Sequence, residues 1–186
     1  RMKDYDLIVV GGGAAGLVAA REARRRGAST VIVQRGPVGG DCTFTGCIPS
    51  KALLAAAARG ASFAEAMRSV RTAVDRIAAT EDATALAAHG IDVIDGYARF
   101  TGPRTIDVDG RSLRSRRFVV ATGAKAVVPP IPGLRELGPL TNETLFELPD
   151  APPSLAILGG GPIGCEMAQA FARLGVEVTL VEAVER

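Results

Sequence analysis

Gly11-Gly12-Gly13-Ala14-Ala15-Gly16 stands between an apolar run at 5–10 and a helix-forming stretch that reaches about Arg26, with a second apolar run at 31–33. Strand, glycine turn, helix, strand is an order that few folds accommodate. Gly11 would make the tight turn, Gly13 would let a pyrophosphate approach the backbone, and Gly16 would let helix pack on strand. Unpaired N–H groups at the start of such a helix bind phosphate, which adds Ala14 and Ala15 to the candidate contacts. The pattern returns near the other end: an apolar run at 155–158, then Gly159-Gly160-Gly161-Pro162-Ile163-Gly164, a helix to Leu174, Gly175 and a strand at 176–181. Gly159, Gly161, Ile163 and Gly164 are the matching contacts. The chain therefore reads as α/β, with two dinucleotide-binding units built on parallel strands.

An acidic residue is expected at the end of each second strand, where it would hold the ribose hydroxyls. The first unit has Gln34 there, whose amide oxygen can still accept a hydrogen bond but carries no charge. The second has Glu182. A carboxylate accepts from a ribose 2′-OH and repels a 2′-phosphate, so Glu182 favours NADH over NADPH.

Between the units lies Gly39-Gly40-Asp41-Cys42-Thr43-Phe44-Thr45-Gly46-Cys47-Ile48-Pro49-Ser50-Lys51. On a regular helix, residues five apart have Cα atoms about 8–9 Å from each other, beyond the ~7 Å limit of a disulfide. Cys42 and Cys47 can pair only if the turn between them is not regular helix. Gly46 supplies backbone freedom for that, and Pro49 suits the first turn of the helix that follows. Cys47 would then lie at a helix N-terminus, which stabilises a thiolate, and Cys42 on a looser, more accessible loop. Such a pair suits dithiol–disulfide exchange. Two structural core cysteines or half of a metal site are the alternatives. Metal sites come with further cysteines or histidines, and only His89 and Cys165 remain.

The rest of the chain reads as connecting structure. Residues 52–80 are helical with a break near 60–62, where Ser62 could cap the second part; Met67, Val70, Val74 and Ile77 form one core-facing stripe. A short helix at 81–88 closes at His89-Gly90, which makes His89 a capping or surface residue. Residues 91–100, 105–108 and 112–121 are strand-like, and Asp109-Gly110 marks a hairpin. A proline-rich connector follows at 127–133, then loop and short helix at 134–153. Arg24, Arg25 and Arg26 complement a helix C-terminus, and Cys165 reads as packing within its helix. With 186 residues there is room for one domain and part of another, and a net charge of +2 makes no case for nucleic acid or a membrane surface. No apolar run reaches the ~20 residues of a membrane span. The polar start argues against a signal peptide, and one close cysteine pair without a wider framework reads as a cytoplasmic redox protein.

The cysteine stretch, the two glycine fingerprints in order, the turn Ala121-Thr122-Gly123 and Gly164-Cys165-Glu166 together resemble the pyridine-nucleotide-dependent flavoprotein disulfide oxidoreductases, which include dihydrolipoamide dehydrogenase, mercuric reductase and glutathione reductase. Asp41, the Thr43-Phe44-Thr45 loop and the segment 141–146 look most like the mercuric-reductase-like branch. The resemblance implies a Rossmann-like FAD-binding domain at 1–150, with a parallel sheet and an antiparallel hairpin or meander. It also implies the first strand–helix–strand unit of an NAD(P)-binding domain at 151–186. Electrons would pass from NAD(P)H through FAD to a Cys42–Cys47 disulfide and on to a disulfide or mercuric ion. Cys47 would face the flavin and Cys42 would attack substrate, with Lys51 and Glu166 a charged pair beside the rings. FAD contacts would come from Gly11, Gly13, Ala14, Ala15, Gly16, Gln34, Gly39, Gly40, Asp41, Cys42, Lys51, Ala98, Ala121, Thr122 and Gly123. The resemblance further implies a homodimer for the full-length protein. The family's later flavin-contacting segment, interface domain and His–Glu pair would lie beyond this chain, so the second reading is a dinucleotide-binding fragment without turnover of its own.

Overall fold

The apolar run at 5–10 is divided in the computed structural model, which describes residues 2–184. Strands β1 (Lys3–Tyr5) and β2 (Leu7–Val10) belong to different sheets and change over at Asp6. There follow α1 (Ala14–Arg25), β3 (Thr30–Gln34), the short helix α2 (Gly40–Phe44), α3 (Cys47–Ala58), α4 (Phe63–Ala78) and α5 (Ala83–Ala88). Five strands come next: β4 (Ile91–Asp95), β5 (Ala98–Gly102), β6 (Thr105–Val108), β7 (Arg111–Ser115) and β8 (Phe118–Val120). The remainder holds α6 (Asn142–Leu145), β9 (Ser154–Leu158), α7 (Pro162–Arg173) and β10 (Glu177–Val181). The chain divides into two compact units, one made of the residues up to Phe44 with Arg76–Lys125, the other of Thr45–Asp75 with the residues from Ala126 on.

In the first unit a parallel sheet has the order β4-β3-β2-β8, and a mixed sheet the order β1-β7-β6-β5. The parallel sheet is covered on both faces, which is why its strands are apolar without alternation. Ile8, Val31 and Val33 point to one side and pack with Ile106, Val108 and Leu113 of the mixed sheet. Val9 and Ile32 point to the other, against Leu17 and Ala20 of α1 and Leu86 of α5.

The runs at 91–100 and 112–121, which read as single strands in the sequence, are each shared between the two sheets. Gly96, at φ +153°, redirects the first. In the second, the buried Ser115 hydroxyl sits 3.1 Å from the Asp6 carbonyl and 2.8 Å from that of Arg117, and accepts from Arg117 N. One side chain thus holds both strand crossings, where β1–β7 gives way to β2–β8. The Asp109-Gly110 hairpin forms as expected, with both residues at positive φ and Val108 opposite Arg111.

Helix ends follow the capping residues. Asp82 Oδ1 accepts from Ala85 N at 2.7 Å to start α5, and His89 is its exposed C-cap. Ser62 and Glu65 form a reciprocal capping box ahead of α4. Arg25 and Arg26 pair with Glu22 at the solvated end of α1.

Asp92 accepts from Lys3 Nζ at 2.7 Å and from the Tyr5 hydroxyl at 2.6 Å, and those bonds hold its carboxyl below the usual 3.8. The Ser29 hydroxyl and backbone do the same for Asp6. A carboxyl depressed in the folded state contributes stability above its unfolded pKa and loses it as pH falls through the folded value. Stability should therefore decline below pH 4, roughly where free carboxylates titrate, and Asp92→Asn should flatten that acid limb in thermal melts taken from pH 7 down to about 2.5.

In the second unit, β9 and β10 pair in parallel, and α7 crosses between them. Leu53 and Ala56 of α3, Met67 and Val70 of α4, and Met167 and Phe171 of α7 make its core, joined by Val176. Met67 and Val70 of the expected stripe are buried, Val74 is half-buried against this core, and Ile77 is half-buried. Leu158, Leu180 and Val181 of the strand pair are 48, 38 and 50% exposed. Among the described residues no helix is long and apolar enough to cross a membrane.

Candidate functional site

Both glycine turns have the geometry that the spacing demands. A Cβ on Gly16 would come within 1.9 Å of the Gly11 carbonyl oxygen, and one on Gly164 within 1.9 Å of that of Gly159. The third glycine of each turn is what lets α1 and α7 sit against their strands. Gly11 itself lies at φ +106°, and a Cβ there would meet the Ala121 carbonyl oxygen at 2.1 Å. The Ala121-Thr122-Gly123 turn is thus laid directly on the first fingerprint, tied also by Ala121 N to Val10 O at 2.7 Å.

The strand-end residues hold the turns in the same way in each unit. Gly12 N donates to Gln34 Oε1 at 2.7 Å, and Gly160 N donates to Glu182 Oε2 at 2.6 Å. Gln34 also donates to the Arg35 and Pro37 carbonyls.

The helix starts suit a pyrophosphate. Gly13 caps α1 and Gly161 caps α7 without any side-chain hydrogen bond, and neither first turn contains an acidic residue. By contrast α5 and α6 begin on the side chains of Asp82 and Thr141. Ala14 and Ala15 in the first turn of α1 and Ile163 in that of α7 are exposed, at the helix end where backbone N–H groups favour an anion. The residues present fit a dinucleotide at each turn.

The dithiol stretch begins as part of the first turn. Gly39 N donates to Gly12 O at 2.8 Å, and Gly13 bridges Gly39 in parallel. A Cβ on Gly40, which has φ +61°, would lie 2.7 Å from Gly13 Cα. This backbone-on-backbone approach starts α2 at once, so Asp41 is exposed in its first turn and Cys42 is helical and half-buried. The expected looser, more accessible loop at Cys42 is therefore corrected: Cys47 is the exposed sulfur. The helix does break between them, at Thr45 and Gly46, and Cys47 is the first residue of α3, as the glycine and Pro49 imply. Cys165, expected to pack within its helix, is exposed instead, with Sγ 3.2 Å from Gly160 O, while Gly164 beside it takes the side of α7 that meets the strand.

Lys51 Nζ lies 2.7 Å from both carboxylate oxygens of Glu166. The lysine side chain is 60% exposed, and such a pair contributes little to stability. Ala98 opens β5 opposite Val108, with its methyl against the core cluster that contains Tyr5.

Two contacts that no local pattern indicates secure the loop between the cysteines. The buried Thr43 hydroxyl donates to Glu81 Oε2 at 2.7 Å, and Asn142 Nδ2 donates to Thr45 Oγ1 at 3.2 Å. The partners lie 38 and 97 residues away along the chain.

Comparison with known proteins agrees with this geometry. A family model described as pyridine nucleotide-disulphide oxidoreductase matches residues 5–186. Mercuric reductase of Staphylococcus aureus is 38% identical over 98% of this chain and 37% of its own length. Dihydrolipoyl dehydrogenase of Acholeplasma laidlawii is 34% identical over 98% of this chain and 61% of its own length. The structure of the HOCl-induced flavoprotein disulfide reductase RclA from Escherichia coli superposes with a TM-score of 0.86 at 33% identity, covering 98% of this chain and 43% of that one. The chain thus spans between about two-fifths and three-fifths of the length of these relatives. With a family model that spans residues 5–186, and so both glycine turns and the cysteine stretch, the chain belongs to the pyridine nucleotide-disulphide oxidoreductase family.

Proposed function

We propose that this chain is the N-terminal part of an FAD-dependent oxidoreductase that passes electrons from NAD(P)H through FAD to the Cys42–Cys47 pair and on to a disulfide or mercuric ion. Residues 1–150 serve FAD and the redox pair, and 151–186 begin the NAD(P) site. The observation that carries the reading is the physical union of the first fingerprint with the dithiol stretch, in which Gly40 rests on Gly13 and Gly39 is bonded to Gly12. A phosphate-binding turn and a redox cysteine placed on one backbone support serve a single reaction.

FAD, when bound, supplies the two-electron relay between nicotinamide and disulfide. The residues hold it and tune its surroundings. Gly13, Ala14, Ala15 and Gly16 would present backbone N–H groups to its pyrophosphate, Gly11 makes the turn that brings them there, its own N–H donating to Val33 O, and Gln34 would stand at the ribose position. Gly39, Gly40, Asp41, Ala98, Ala121, Thr122 and Gly123 complete the candidate contacts. Lys51, oriented by Glu166, places positive charge where a reduced ring would carry negative charge. Cys47, the first residue of α3, would be the sulfur facing the flavin, and Cys42 the one that attacks the substrate. Gly159, Gly161, Ile163, Gly164 and Glu182 hold NAD(H), with NADP(H) the less favoured ligand.

The test is anaerobic titration of the natural full-length protein with NADH. Reduction of bound flavin together with the appearance of two thiols is the expected result, and prior alkylation of Cys42 should abolish the disulfide step while leaving flavin reduction intact; flavin reduction without new thiols in the unalkylated protein overturns the reading. NADH should exceed NADPH in kcat/KM by about tenfold or more, the effect of ~1.4 kcal/mol of charge repulsion. Equal values would remove Glu182 from that role.

The second reading, a dinucleotide-binding fragment without turnover by itself, is favoured for the isolated chain by the exposed outer face of β9–β10 and by its short span of the relatives. The 186-residue chain mixed with FAD and passed through a gel-filtration column should retain little flavin. Stoichiometric retention, read by absorbance, would mean that the contacts named above suffice.

A further inference from the structure

The loop Thr43-Phe44-Thr45-Gly46 between the cysteines is secured at both of its threonines by residues that belong to no glycine fingerprint and to no cofactor contact. We infer that Glu81 and Asn142 are positioning residues for the two sulfurs, Glu81 acting through Thr43 on Cys42 and Asn142 acting through Thr45 on Cys47. The inference rests on the redox reading of the pair.

On the Cys42 side, Thr43 is 3% exposed and its hydroxyl donates to the Glu81 carboxylate at 2.7 Å. A bond to an ionised acceptor is shorter and roughly twice as strong as a neutral one. Glu81 is itself held in place by a well-built turn. Its N–H donates to Ala78 O at 3.0 Å, closing α4. Arg21 of α1 donates to the neighbouring Thr80 carbonyl at 3.4 Å, and the next residue, Asp82, caps α5. The carboxylate is a fixed post, and α2 is a helix of five residues that cannot set its own position by backbone hydrogen bonding alone. The glycines set its near end against Gly13, and Thr43–Glu81 sets its far end, one residue from Cys42.

On the Cys47 side, Asn142 is the first residue of α6, a single turn locked by the reciprocal Thr141–Thr144 capping box. Its amide donates to Thr45 Oγ1, two residues before Cys47. Each anchor lies within its own compact unit.

Moving either sulfur changes how readily the pair closes. The test is equilibrium with glutathione, in which the protein disulfide and two glutathione thiols give the protein dithiol and one glutathione disulfide. The full-length protein carries Thr43→Val, Glu81→Ala, Glu81→Gln or Asn142→Ala, and alkylation of Cys42 is followed by peptide mass spectrometry in parallel. Thr43→Val, Glu81→Ala and Asn142→Ala should each shift the equilibrium constant by about tenfold, ~30 mV. Glu81→Gln, which keeps an acceptor for the threonine, should remove most of that shift and stay near the parent. Glu65→Ala, which removes the α4 capping box, should lower the melting temperature and leave the equilibrium within about twofold. If Thr43→Val and Glu81→Ala fold and stay within twofold of the parent, the inference for Cys42 fails, and Asn142→Ala decides it for Cys47 in the same way. A parent protein whose cysteines do not exchange with glutathione at all overturns the redox reading and this inference with it.

Discussion

Gly16→Ala is expected to destabilise the first unit by about 3 kcal/mol and to lower its melting temperature by roughly 12–24 °C. The added methyl would sit 1.9 Å from the Gly11 carbonyl oxygen, and the opposing atom is backbone that cannot turn aside. Relief requires α1 to move off β2, which also pulls the N–H groups of Ala14 and Ala15 away from the phosphate position. Stability and flavin retention should therefore fall together. Gly164→Ala repeats the contact at Gly159 in the second unit and should do the same there. Gly27→Ala is the control: it has a positive φ but nothing within 4 Å of the added carbon, so its cost should stay near 1 kcal/mol. Differential scanning calorimetry of the three variants checks the order. A Gly16→Ala protein that melts with the parent would mean that the helix accommodates the methyl without moving.

The largest functional effect should come from the cysteines. Cys42→Ser or Cys47→Ser in the full-length protein should lower NADH-dependent reduction of a disulfide substrate by about a thousandfold or more, since loss of a covalent nucleophile is not replaced by its neighbours. Flavin reduction by NADH should survive in both, because it does not pass through sulfur. Cys165→Ser should leave turnover near the parent value; that thiol lies against Gly160 O in the second turn, away from α2 and α3 in the chain. Turnover that persists in Cys42→Ser would show that a different group attacks the substrate.

Much of this protein is local information and therefore legible along the chain. The glycine turns are legible because Gly11, at positive φ, and Gly16, against the Gly11 carbonyl, answer separate steric demands at a fixed spacing, as do Gly159 and Gly164 in the second unit. The break before Cys47 is legible because Gly46 and Pro49 act on their own few residues. Asp82, Ser62 and Asp109-Gly110 likewise specify two caps and a hairpin from within one turn of chain. Even the strand-end residues Gln34 and Glu182 could be placed by counting from the turns.

What only the tertiary structure decided concerns residues whose partners are remote or whose neighbours share one pattern. Apolar runs at 5–10, 91–100 and 112–121 are continuous in the sequence, because a strand buried on both faces and a strand of a covering sheet both favour valine and isoleucine. The division at Asp6, Gly96 and Arg116 arises where the two sheets meet, and Ser115 secures two of those crossings by reaching a carbonyl 109 residues away. Cys42 was expected on an open loop because nothing near it announces a helix; the close approach of Gly40 to Gly13, 27 residues earlier, builds one. Thr43 and Thr45 carry no signal of their own either. A hydroxyl becomes an anchor only when folding brings it a fixed acceptor or donor, and Glu81 and Asn142 arrive from other elements. Backbone geometry is written into nearby residues, whereas the positions of the two sulfurs depend on contacts that exist only once the chain has closed on itself.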